Sequence, residues 1–382
     1  MEKYAHLQAL GAPGEVVAPH TDEIEATDRR ELEEPRDIRT IDPGHDHRWQ
    51  TLVATHTSTL FQSPPWVRVI QQVYSLDVRA HVVVDPAGHP IAGLSYCRIE
   101  DLFAPRIVTM PFSDYCDPLV SDRETLNLLL TRILAEGCPF TMRCLFNALP
   151  LEDERLTLVN RARWHGVNLQ SDPDTLWSSI DESSRRAIRK ARAEGVRVRV
   201  AESRDDLYAF FRLHLRVRKY KYRLLAQPFA LFEHLWEEFV ARDRGFLMLA
   251  EHEGAIIGGV YFLGWGDTIY YKFNASDFDQ LKHRPNDLVI WESMCYARER
   301  GYAWLDFGLS DWDQEGLVRY KRKFATEERT ISFLRYMPEG AASARDAQLR
   351  GLINRLTELF VDPGVSDEVT ERAGAALYRY FT

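Results

Sequence analysis

Residues 246–264 read "FLMLAEHEGAIIGGVYFLG", two apolar runs around a polar, Gly-terminated turn, the pattern of a β-hairpin. The hairpin has an echo 166 residues upstream: "GHPIAG" (Gly88–Gly93) and "GAIIGG" (Gly254–Gly259) share the template G-x-x-I-x-G. Each follows a short apolar strand, "HVVVD" in one case and "FLMLA" in the other. Before the hairpins, "FQSPPW" at Phe61 aligns with "AQPFAL" at Ala226. After them, "PFSDYCDP" at Pro111 aligns with "NASDFDQ" at Asn274 through Ser113-Asp114 and Ser276-Asp277. Three matches in one order at nearly one offset indicate a duplicated domain.

The second copy resolves into elements. "ESRDDLYAFFRLHLRVRKY" starts a helix at Ser203, with Asp206 in capping-box position ahead of the stripe Leu207, Phe210, Phe211 and Val217. A further helix, "LFEHLWEEFVAR", leads into the hairpin. Then come a strand ("TIYYKFNAS"), a helix opened by Asn286 or Asp287 and closed near Gly301, and a last strand, "AWLDFG". In the first copy "RWQTLVATH" and "WVRVIQQVY" read as helices, "RAHVVVD" and "PIAGLSYCR" as strands. The expected class is α/β (α+β), two copies of a mixed sheet flanked by helices. The expected boundaries are an acidic solvated arm over 1–44, copies over 45–170 and 171–338, and amphipathic C-terminal helices over 339–382.

The 382 residues carry a net charge of -9, with 45% hydrophobic and 27% charged residues, an ordinary composition for a globular protein. No apolar run approaches the ~20 residues that cross a bilayer, and the N-terminus lacks the apolar core of a secretory signal. A cytoplasmic protein without a membrane span is expected. None of the five cysteines sits in a C-x-x-C pair, so neither a disulfide framework nor a metal site is indicated. The motifs of serine hydrolases, zinc proteases, P-loop nucleotide triphosphatases and dinucleotide-binding folds are absent.

One segment runs against the overall acidity. From Arg185 to Arg223 fourteen Lys or Arg face four Asp or Glu. On a helix capped by Asp181 and ended by Gly195, Arg185, Arg189 and Arg192 share one side, flanked by Arg186 and Lys190. The following helix adds Arg212, Arg216, Arg218, Lys219, Lys221 and Arg223. Such a run reads either as a solvated face or as an anion site, and Arg forks suit phosphate oxygens.

The order of elements, with "PFSDYCDPLV", "RRAIRKARAEGVRV", "FFRLHLRVR", "RPNDLVIWE", "LDFG" and "GLVRYKRKF" in sequence, resembles the FemABX-like branch of the GNAT acyltransferase superfamily over residues 45–335. That resemblance implies tandem GNAT-like domains and amide-forming transfer of an aminoacyl or acyl group to an amine acceptor. It implies no bound cofactor but a phosphate-bearing donor co-substrate, aminoacyl-tRNA or acyl-CoA. The donor would be held by Arg185, Arg189, Lys190, Arg192, Arg216, Arg218 and Lys323, the last more readily read as a surface lysine. GNAT enzymes that use acetyl-CoA usually carry a Gly-rich pyrophosphate loop after the fourth strand. Here "DFDQLKHRPNDLVIWE" contains no glycine, which favours the tRNA donor. An acetyl-CoA-dependent N-acetyltransferase and a silent RNA- or anion-binding module remain as alternatives.

Asp306, at the end of a core strand, reads as a general base or as a carboxylate capping the next loop. Lys321 matches a lysine of the family and would steady the tetrahedral oxyanion or the donor's phosphate-sugar end. Ser113, Asp114, Asp117, Asn286 and Glu292 are the candidate acceptor-binding residues. For the two aspartates, turn chemistry before Pro118 is the competing account.

Overall fold

The computed structural model describes residues 37–341 and 344–381. In the first repeat come β1 (Asp37–Ile41), α1 (His47–Thr55), α2 (Pro64–Tyr74), β2 (Val78–Val84), β3 (Pro90–Ile99), β4 (Arg106–Val108), α3 (Arg123–Leu134), β5 (Phe140–Cys144) and β6 (Thr157–Asn168). The second adds α4 (Pro173–Ser179), α5 (Glu182–Ala193), β7 (Arg197–Val200), α6 (Arg204–Arg216) and α7 (Phe229–Glu238). It continues with β8 (Gly245–His252), β9 (Ala255–Trp265), β10 (Thr268–Ser276), α8 (Pro285–Glu299), β11 (Trp304–Asp311), α9 (Glu315–Arg322) and β12 (Glu327–Tyr336). Helices α10 (Ala344–Phe360) and α11 (Asp367–Leu377) close the chain.

All twelve strands join one sheet in the order β1-β2-β3-β4-β5-β12-β6-β11-β10-β9-β8-β7. Renumbering each repeat from one to six makes this order a palindrome. The ladders agree: β4 pairs parallel with β5 and β10 with β11, while the other neighbours are antiparallel. The repeats exchange their last strands, since β12 lies between β5 and β6, and β6 between β12 and β11. Neither repeat therefore closes a sheet with its own strands alone. Sequence periodicity shows which residues alternate along a strand, not which strand lies beside it.

Residues 37–41, read above as the end of a solvated arm, form β1 on the edge of the sheet, with Ile41 buried. Its pairing with β2 supplies the order that its polar composition did not announce. The remainder of the arm, 1–36, lies outside the described residues.

Alternating residues of β8 and β9 separate the two faces. Leu247, Leu249, Tyr261 and Leu263 pack with Leu207, Phe210 and Phe211 of α6 and with α2 and α7. Phe246, Met248, Val260 and Phe262 pack instead with Ile188 and Ala191 of α5 and with α8. The two basic helices thus cover opposite faces, with β7 at the sheet edge between them. The expected single cationic surface is divided by the sheet.

Helix α6 begins as expected: the Ser203 hydroxyl accepts the Asp206 N–H at 3.1 Å. It ends in a π-helical turn, Val217–Tyr222. The C-terminal helices dock on that turn. Lys219, fully buried, donates to the Val365 carbonyl at 2.7 Å and to Asp367 at 2.9 Å. At Gly374 of α11 a side chain would meet the Ala226 carbonyl at 2.3 Å, so only glycine allows this approach.

Candidate active site

A cleft of about 1250 Å³ opens where β10 and β11 part company. Their parallel ladder runs from Thr268↔Trp304 to Tyr270↔Asp306 and stops there. Beyond it β10 follows β9 and β11 follows β6. Both repeats line the cleft: Trp66, Tyr74 and residues 108–116 from the first, Lys272, Asn286, Leu309 and Lys321 from the second.

At the last paired position stands Asp306, 2% exposed. Its carboxylate accepts the Tyr115 hydroxyl and the Gly308 N–H. Burial pushes its pKa up to about 6, against the pull of those hydrogen bonds. Asp306 does not itself border the cleft. Tyr115 is one of its lining residues, and the Tyr115 hydroxyl links that lining to the carboxylate. The bond from the Gly308 N–H matches the loop-capping reading of Asp306, and no cleft contact of its own accompanies the general-base reading. Gly308 adopts φ +66°, and a Cβ there would lie 2.3 Å from Asp114 Oδ2, so any side chain would be strained and would push Asp114 aside.

Lys321, on α9, is 3% exposed and borders the cleft. Its Nζ donates to the Leu309 and Gly308 carbonyls at 2.8 and 3.2 Å. An ammonium has three N–H groups, so one remains for a ligand. Burial draws its pKa down to about 8, with the charges of Asp114 and Asp306 holding it up. Across the cleft Lys272 lies 3.4 Å from Asp114 and over the rings of Phe61 and Trp66. The Arg143 guanidinium borders the cleft and donates to the Ser113 carbonyl at 2.8 Å.

The candidate acceptor residues divide. Ser113, Asp114 and Asn286 border the cleft, with Asn286 accepting from Ser276. Asp117 does not: one of its oxygens takes the N–H groups of Leu145, Phe146 and Asn147 at 2.9, 3.0 and 2.9 Å, clamping the loop after β5. This is a long-range clamp on a distant loop, not the local turn before Pro118 that the sequence suggested. Asp117→Ala is expected to lower the unfolding free energy by about 1–3 kcal/mol, because it leaves three part-buried backbone donors without their acceptor. Chemical denaturation measures this, and a change below about 0.5 kcal/mol would show the clamp to be idle. Glu292 lies outside the cleft, 2.6 Å from Arg192 on the α5–α8 face.

The candidate donor residues also divide. Arg218 borders the cleft. Arg185, Arg189, Lys190, Arg192 and Lys323 do not. Arg189 sits over Trp177, and Lys190 is 3.4 Å from Glu194. Arg216 borders a separate shallow hollow with Arg212 and Asp277. The face of α5 has spent much of its charge on its own neighbours, which linear sequence does not reveal. Tyr115, Lys272 and Arg143 were missed as site residues. A lone lysine among the aromatics of "TIYYKFNAS" was the available signal for Lys272.

Residues 178–322 match the acetyltransferase (GNAT) domain family. That match lies within the second repeat, and the tandem topology agrees with the resemblance to the FemABX-like branch. Among individual proteins, it is 35% identical over 83 residues to a lipid II:glycine glycyltransferase of Staphylococcus epidermidis, an alignment spanning a fifth of each chain. The fold is that of the FemX crystal structure, at a TM-score of 0.62 and 16% identity over 83% of this chain and all of that one. It is also that of L-PGS from Bacillus licheniformis, at 0.53 and 12% over 82% and 98%. No helix among the described residues is long and apolar enough to cross a membrane.

Proposed function

We propose that this chain is an amide-forming acyltransferase that moves an aminoacyl group from aminoacyl-tRNA to an amine acceptor in the β10–β11 cleft. The observation that carries the reading is Lys321, a buried ammonium with one N–H uncommitted, set opposite Asp114 and Lys272. Asp114 draws in the acceptor as an ammonium, which gives one proton to bulk solvent before the chemistry begins. The neutral amine attacks the ester carbonyl, a C–N bond forms, and the tetrahedral oxyanion takes the free N–H of Lys321. One amine proton passes to the Tyr115 oxygen as the Tyr115 proton passes to Asp306. The C–O bond then breaks, and the leaving ribose oxygen takes a proton from Lys321. Proton exchange between Asp306 and Lys321 through solvent restores the resting state.

The start of α8 supports this donor over coenzyme A. The helix N-terminus where a pyrophosphate would sit is occupied by the protein's own carboxylate. Asp287, in the first turn, is pushed up in pKa by burial and accepts from Ser184 of α5 at 2.6 Å. A second anion there would meet a like charge.

The test is a parallel titration with bulk aminoacylated tRNA and with acetyl-CoA at two salt concentrations, followed by transfer to a panel of amines. Salt-sensitive tRNA binding with amide formation supports the reading. A thermal shift with acetyl-CoA and none with tRNA would replace it by an N-acetyltransferase, and tRNA binding without transfer by a silent module.

A further inference from the structure

The π-helical turn Val217–Tyr222 forms part of the cleft rim, and nothing in the chemistry above uses it. Its sequence, "VRKYKY", alternates cations with aromatics. The fold sorts them: Lys219 turns inward to Val365 and Asp367, while Arg218, Lys221 and Tyr222 line the cleft. Tyr222 is 52% exposed, and one face of its ring is left open beside Lys221. Among the described residues no carboxylate lies within ion-pair distance of Arg218 or Lys221. Arg218 donates Nε to the Leu225 carbonyl, and Lys221 stands 5.1 Å from the Tyr222 ring centre.

The pseudo-symmetry sharpens the point. The link between α1 and α2 in the first repeat, His56–Ser63, occupies the place of the link containing this turn, and it holds no Lys or Arg. Only one repeat has acquired the cation–aromatic turn, and the buried Lys219 fixes it to the C-terminal helices, which lie beyond the duplicated unit. Exposed aromatic rings interleaved with unpaired cations are the surface that binds unpaired nucleotides, by stacking on the base and charge on the phosphate. Stacking is indifferent to base identity, which suits a carrier.

We propose that the turn Val217–Tyr222 is the binding site for the nucleotide part of the acyl donor, with a base stacked on Tyr222 and a phosphate held by Lys221 and Arg218. The chemistry is shared by the single-stranded 3′ end of a tRNA and by the phosphoadenosine of coenzyme A. The inference rests on the acyl-transfer reading, and favours the tRNA end on the α8 argument above. It displaces the basic face of α5, which looks out from the other side of the sheet.

The experiment is fluorescence anisotropy of the full-length protein with labelled ACCA oligoribonucleotide, and in parallel with coenzyme A as a competitor. Tyr222→Ala is expected to weaken ACCA binding about 5- to 150-fold, and Tyr222→Phe to retain it. Lys221→Ala should lower the slope of log K against log salt by about 0.7, one phosphate contact fewer. The double change Arg185→Ala and Arg189→Ala should leave binding as it was. Both key side chains are exposed, so the fold is not at risk. If coenzyme A binds, ACCA does not, and the same variants weaken it, the site stands and the tRNA donor falls. Unchanged binding by Tyr222→Ala, loss of binding in the α5 variant, or no binding of either probe overturns the site.

Discussion

Lys321→Met is expected to yield a folded protein that no longer transfers an acyl group, with turnover down about 10²–10³-fold, the usual cost of losing one oxyanion donor. The change should be read as chemistry rather than collapse. The side chain is buried and burial already draws the ammonium down toward pKa 8, so the fold gains little from its charge. Methionine matches the aliphatic stem. What is lost structurally is the donor to the Gly308 and Leu309 carbonyls, about 1 kcal/mol each. Transfer from charged tRNA, followed beside thermal unfolding, separates the two effects. If the ammonium acts only in the transition state, the KM for the donor stays near its original value while kcat falls. Turnover within a few-fold of the parent would make Lys321 a structural post between α9 and β11.

The second expected result is a bell-shaped pH dependence of transfer centred near pH 7. The proton relay needs Asp306 ionised, so the rate climbs as pH rises through about 6. Oxyanion stabilisation and leaving-group protonation need Lys321 charged, so the rate falls as pH rises through about 8. Asp306→Asn should abolish the acid limb and lower the plateau about 10²–10⁴-fold. Tyr115→Phe should act in the same direction, because it removes the hydroxyl that joins that carboxylate to the cleft lining. An acid limb surviving in Asp306→Asn would shift the role of proton acceptor to Asp114. A shared loss in Asp306→Asn and Tyr115→Phe, with the same change in pH profile, is something a merely structural carboxylate would not produce.

The proposed mechanism rests on a contrast of environments. Asp306 and Lys321 are both held away from water, and their pKa values are pushed toward one another, to about 6 and about 8. Groups so placed exchange protons near neutrality without either being far from its resting state. Asp114, in contact with the cleft and with Lys272, keeps the polar surroundings that binding an amine requires.

The sequence by itself determined the duplication and most of the elements. The repeated G-x-x-I-x-G hairpins became β2–β3 and β8–β9, the aligned Ser-Asp pairs fell just past β4 and at the end of β10, and Asp181 and Ser203 capped the helices assigned to them. Local patterns suffice there because hairpin turns, caps and apolar periodicity act within a few residues. It also named Lys321 and Asp114 as candidates, and both line the cleft. Only the tertiary structure decided that the last strands are exchanged into one twelve-stranded sheet, that α5 and α6 lie on opposite faces of it, and that Asp306 stands behind Tyr115. The sequence could count fourteen cations between Arg185 and Arg223, but not that a sheet would divide them. Which charges share a surface depends on contacts between distant segments, and those are set when strands of both repeats pair and bury their alternate faces, not by the spacing of residues along the chain.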